Sequence, residues 1–104
     1  MGAVTFYLTA TATTPQAAFD AIRQEAAAEY GWREDSGTVA MKDEYVLIDT
    51  SVRPHDEAMS LAVDLIARND PRVEDSFGPA GCLEITPTTP GGGRAFLFFG
   101  WAND

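Results

Sequence analysis

Residues 95–101, with the sequence AFLFFGW, are apolar at every position. Aromatic residues favour strands, and successive side chains of a strand point to opposite faces. We therefore predict a last strand that is apolar on both faces. Residues 4–11, VTFYLTAT, alternate strictly between apolar side chains and threonine or tyrosine, which predicts a strand with one buried face. We expect both strands to belong to the same sheet.

Two segments place apolar residues at helical spacing. The first helix is predicted over residues 15–30, after a threonine cap at Thr13 and before Gly31. The second begins at Pro54 and ends near Asn69, because the residue before a proline disfavours helix. The expected buried stripes are Ala18, Phe19, Ile22, Ala26 and Tyr30 in the first helix, and Ala58, Met59, Leu61, Ala62, Leu65 and Ile66 in the second.

Three further strands complete the predicted order. Residues 38–41 and 45–50 are predicted to form a hairpin through residues 42–44, and residues 82–86 a short strand. A loop with two glycines and two prolines, residues 69–81, precedes the short strand, and a glycine-rich loop follows it. The resulting order is βαββαββ.

This order predicts an α+β fold, a two-layer sandwich with two helices on one face of an antiparallel sheet. Its first six elements resemble the ferredoxin-like βαββαβ plan, with one additional C-terminal strand. The length of 104 residues predicts a single α+β domain over residues 1–104. A fold-level resemblance does not identify a function.

Composition disfavours several classes of partner. A formal net charge of −9 with scattered basic residues disfavours direct binding to nucleic acids and to acidic membrane surfaces. Cys82 is the only cysteine, so an intrachain disulfide cannot form. The sequence has no recognisable secretory signal and no apolar run approaching the ~20 residues of a spanning helix, so we expect a cytoplasmic protein.

The last strand also predicts self-association. With both helices on one face, either Phe96 and Phe98 or the set of Leu97, Phe99 and Trp101 would lie outside the helix-covered core. A loop or the C-terminal residues could cover them. Otherwise we expect a homo-oligomer formed through the sheet face or through pairing of the last strand.

A ligand pocket is the alternative hypothesis, in which Arg53 or Arg72 holds a ligand carboxylate. The candidate ligand-binding residues are Tyr7, Trp32, Arg53, His55, Arg72 and Phe77. We predict no catalytic residue, cofactor or metal site. The only histidine, His55, is at a polar helix start typical of a surface residue, and Cys82 begins an apolar strand typical of a buried one.

Two features of the long loop and its surroundings, a run of alternating charges and two glycines, have simple structural interpretations. The alternating charges between residues 68 and 75 indicate solvated ion pairs, although Asp70 and Asp75 could serve acid–base chemistry if burial separated their pKa values. Gly78 and Gly81 indicate tight turns rather than a phosphate-binding loop, because a strand follows them.

Three functional classes are therefore open. We expect a non-enzymatic, self-associating interaction or accessory domain, because no catalytic motif is present. A small-molecule-binding or cofactor-free enzymatic domain is the second class. An acidic inhibitor that mimics nucleic acid is the third, since the charge of −9 permits it.

Overall fold

A computed structural model describes residues 3–30, 42–76, 78–87 and 93–103. The predicted strand at 38–41, and hence the predicted hairpin, lies outside these residues. The described elements are β1 (Ala3–Ala12), α1 (Pro15–Tyr30), β2 (Tyr45–Arg53), α2 (His55–Ala67), β3 (Ala80–Ile85) and β4 (Arg94–Asn103). The fold is α+β, as predicted.

The four strands form one mixed sheet in the order β1-β4-β3-β2. β4 pairs antiparallel with both β1 and β3, whereas β2 runs parallel to β3. The parallel pair arises because α2 connects β2 to β3 as a crossover, which returns the chain to the same end of the sheet. The predicted all-antiparallel sheet is therefore wrong.

The helices pack on opposite faces of the sheet. Phe96 and Phe98 belong to the core cluster of α1, whereas Leu97 and Phe99 belong to that of α2. Since neighbouring strand residues point to opposite faces, α1 and α2 must lie on different sides. The prediction that both helices lie on one face of the sheet is therefore wrong, and the ferredoxin-like plan is not confirmed.

β4 is the central element of the fold. α1 packs against β1 and β4, and α2 packs against β3 and β4, so β4 is covered on both faces. Phe96, Phe98 and Phe99 are each 0% exposed, and Trp101 is half-buried against the α2 cluster. The expectation that large aromatics of the last strand lie outside the helix-covered core is wrong for the three phenylalanines. Because β1 and β3 pair with its two edges, β4 has no free edge for pairing with a strand of a second chain.

The α1 cluster is built around three aromatic rings. The Phe19 ring lies 5.1 Å from that of Tyr45 and 5.5 Å from that of Phe98, and the Tyr45 and Phe98 rings meet edge to face at 5.8 Å. Phe19 and Ile22 are buried as the helical spacing predicted. The predicted contribution of Tyr30 to this stripe lies outside the described side chains.

The helix ends agree closely with the sequence signals. Thr14 Oγ1, rather than the predicted Thr13, caps α1 by accepting a hydrogen bond from Ala17 N at 3.1 Å. α2 ends where predicted, because Asn69 takes the left-handed conformation with φ 53° and Asp70 N donates to Leu65 O. Neither described helix is both long and apolar enough to cross a membrane.

Candidate functional site

The described candidate ligand residues belong to different elements of the fold. Tyr7 is half-buried on β1 at the margin of the α2 cluster. His55 begins α2, whereas Arg72 follows the end of this helix, whose 13 residues span about 20 Å. Trp32 and Phe77 lie outside the described residues.

Both candidate arginines already bind carboxylates of this chain. The Arg53 guanidinium donates to both oxygens of Asp49, at 3.1 and 2.9 Å. Arg72 donates to both oxygens of Asp70, at 2.9 and 3.0 Å, and also to the carbonyl oxygen of Ile48. These hydrogen bonds lower the pKa of Asp49, and they lower that of Asp70 to about 2. A ligand carboxylate at either arginine would therefore compete with an internal partner.

The proposed acid–base and nucleophilic groups are not suited to those roles. With its pKa near 2, Asp70 is ionised at neutral pH and cannot act as an acid there. Cys82 is fully buried, as predicted, and burial raises the pKa of its thiol to about 12. Within the described ranges, no group of three or more histidine, cysteine or carboxylate residues could hold a metal ion.

A cavity of about 190 Å³ lies between β1 and the start of α2. Its lining residues are Thr9, Ala10, Thr11, His55, Ile85, Thr86 and Ala95. Strand register brings part of this set together, because Ala95 is paired with Thr11 on one side and with Ile85 on the other. Of the four predicted site residues that the structure describes, His55 alone lines the cavity.

The threonines of the cavity could not be assigned from the sequence. Alternation placed Thr9 and Thr11 on the polar face of β1, which is typical of a solvated surface. Their proximity to Thr86 follows from β4 inserting between β1 and β3. Because the order of strands in the sheet differs from their order in the chain, no local pattern in the sequence indicates this proximity.

Among the described residues that line the cavity there is no carboxylate, lysine or arginine. The nearest charge along the helix is the fully exposed Asp56, whose Oδ1 lies 3.8 Å from His55 Nδ1. Arg53 is paired with Ile85 in the sheet and is therefore the neighbour of a cavity-lining residue. Its guanidinium forms an ion pair with Asp49. The site therefore offers hydroxyl groups and an imidazole rather than a fixed charge.

The outer edge of β1 is the second candidate site. β1 is the first strand of the sheet order and pairs only with β4 among the described strands. Its ten residues carry no charged side chain, and Val4 and Leu8 are 37% and 38% exposed. Long uncharged edges of this kind are templates for pairing with another strand.

A buried lysine holds the segment that precedes β3. Lys42 Nζ donates to the carbonyl oxygens of Asp75, Ser76 and Gly78, at 3.3, 2.9 and 2.9 Å. Lys42 is 1% exposed, and burial lowers its pKa from 10.5 to about 8 although Asp75 opposes the shift. The prediction treated residue 42 as part of a polar turn, and a single lysine gives no periodic signal of burial.

Comparison of the chain with protein-family models, with curated proteins and with solved structures gave no significant match.

Proposed function

We propose that this protein is a self-associating interaction domain in which two copies pair through the outer edges of their β1 strands. An antiparallel pair of β1 strands would extend the sheet continuously from one copy into the other. The uncharged outer edge of β1, with which no described strand pairs, is the observation that carries this proposal.

The two edges of the sheet differ in how well they suit pairing. β2 carries Asp49 and Arg53, and its register with β3 shifts between Leu47 and Val52. Charges and irregularities are the features that protect natural edges from pairing. β1 has neither, since its register with β4 is continuous over ten residues. This contrast favours β1 over β2 as the interface.

Charge distribution favours the same edge. Each copy carries −9, so two copies repel one another at long range. Residues 3–14 contain no charged side chain, so pairing of β1 strands places no like charges directly opposite one another. Salt screens the long-range repulsion, so we expect association to strengthen as the ionic strength rises.

Sedimentation equilibrium with two matched variants tests the proposal. Leu8→Lys places a charge on the β1 edge, and Val63→Lys places the same charge on α2, where Val63 is 48% exposed. Each variant lowers the net negative charge by one, so general repulsion decreases equally in both. We expect a concentration-dependent dimer for the wild type and for Val63→Lys, and a shift toward monomer for Leu8→Lys.

A wild-type monomer at all concentrations up to the millimolar range would refute self-association. Equal dimerisation of both variants would refute the assignment to β1 while leaving self-association in place.

A further inference from the structure

We propose that the cavity between β1 and α2 binds a small, neutral polyol. This inference concerns a ligand site and does not depend on self-association. It rests on the volume of the cavity, on the three threonines in its lining and on the absence of charged side chains among the described residues that line it.

The volume sets the size of the ligand. A cavity of about 150 Å³ in a protein interior accommodates benzene, which has six non-hydrogen atoms. The cavity here is about 190 Å³ and is open to solvent. A molecule of roughly six to eight non-hydrogen atoms therefore fits.

The lining sets the chemistry of the ligand. Thr9, Thr11, Thr86 and His55 are among the residues that line the cavity. A threonine hydroxyl can both donate and accept a hydrogen bond, and an imidazole can also form hydrogen bonds. Ile85 and Ala95 provide apolar surface between them. This combination matches a short carbon chain with a hydroxyl group on each carbon.

Electrostatics disfavour an ionic ligand. An anion would meet a protein of net charge −9, with Asp56 close to His55 and the Arg53 guanidinium already bound to Asp49. A cation would find no carboxylate in the lining. A neutral ligand avoids both costs, because it brings no charge that must be desolvated without a partner.

Titration followed by NMR tests this inference, with erythritol as the neutral probe of eight non-hydrogen atoms. Lactate and protonated ethanolamine serve as the anionic and cationic probes. The signals to follow are those of His55 and Thr86, because residues on β1 also respond to pairing of the chain. We expect saturable shifts with erythritol and at least tenfold weaker binding of the two ions.

Isosteric variants show whether the hydroxyl groups bind the ligand. Thr11→Val and Thr86→Val each remove one lining hydroxyl at constant shape, and Thr50→Val removes an exposed hydroxyl of β2 outside the cavity. We expect at least threefold weaker erythritol binding for each lining variant and less than a twofold change for Thr50→Val. Unchanged dispersion of the amide spectrum serves as the check that each variant is folded.

Three results would overturn the inference. The first is an absence of saturable shifts with erythritol at several hundred millimolar. The second is lactate or ethanolamine binding as tightly as erythritol. The third is a loss of affinity in Thr50→Val that equals the loss in the lining variants.

Discussion

Replacement of Lys42 by methionine tests how the segment before β3 is held. Methionine retains an unbranched side chain but removes the donors to the carbonyl oxygens of Asp75, Ser76 and Gly78, the closest of which lie 2.9 Å away. Hydrogen bonds to a charged group contribute about 1.5–3 kcal/mol each. A pKa lowered from 10.5 to about 8 corresponds to a burial cost of about 3 kcal/mol, which the substitution relieves.

The balance predicts that Lys42→Met lowers the free energy of unfolding by about 2–5 kcal/mol at pH 7. Urea denaturation followed by circular dichroism measures this change. Arg68→Met is the matched control, because the ion pair of Arg68 with Asp64 is exposed and its loss should lower the free energy of unfolding by less than about 0.5 kcal/mol. Equal stabilities of the two variants would show that the three carbonyl contacts do no more than offset the cost of burying the charge.

The pH dependence provides an independent check on the same residue. Because the folded pKa of Lys42 lies below its unfolded value, the unfolded chain binds more protons between pH 8 and 10.5. The contribution of Lys42 to stability therefore increases with pH in that window. The stability difference between the wild type and Lys42→Met should grow by about 2 kcal/mol from pH 7 to pH 9.5. A difference that shrinks with pH would refute the assigned direction of the pKa shift.

Three further predictions concern local contacts. The pKa of Asp70 is lowered from 3.8 to about 2, so its contribution to stability is present above pH 3.8 and is lost as the pH falls through 2. Asp70→Asn should lower the free energy of unfolding by about 1 kcal/mol at pH 7, as measured by urea denaturation. An unchanged free energy of unfolding would contradict the pairing of Asp70 with Arg72. Gly81→Ala should cost about 3 kcal/mol, because the added Cβ would lie 2.5–2.9 Å from ring atoms of Phe99; an unchanged melting temperature would argue against this close packing. Thr14→Ala should lower the free energy of unfolding by about 1 kcal/mol, and Thr13→Ala should lower it much less. A larger loss for Thr13→Ala than for Thr14→Ala would contradict the observed cap.

Local sequence signals were sufficient for most of the elements. Residues 15–30 form the predicted helix over its full length, and the predicted strand at 4–11 extends by one residue at each end. Helical and strand periodicities depend on residues close in sequence, and turn or cap residues mark the ends. This is why element type and extent could be predicted without knowledge of the rest of the chain.

The relative placement of the elements could not be predicted in the same way. Residues 95–101 were recognised as apolar on both faces, which indicates cover on both sides of a central strand. The sequence analysis instead assumed that one face was open, because it placed both helices on the other. Which strands are neighbours depends on long-range packing, and the positions of Thr86 and Lys42 depend on it in turn.

Hydrogen exchange of the β1 amides, measured at protein concentrations below and above the dimerisation midpoint, tests the proposed interface most directly. Pairing of β1 strands predicts that the amides of residues 3–12 that do not bond to β4 gain protection at the higher concentration, while those of β2, residues 45–53, exchange at the same rate. Protection gained on β2 instead, or no change on β1 while the protein sediments as a dimer, would contradict the proposal.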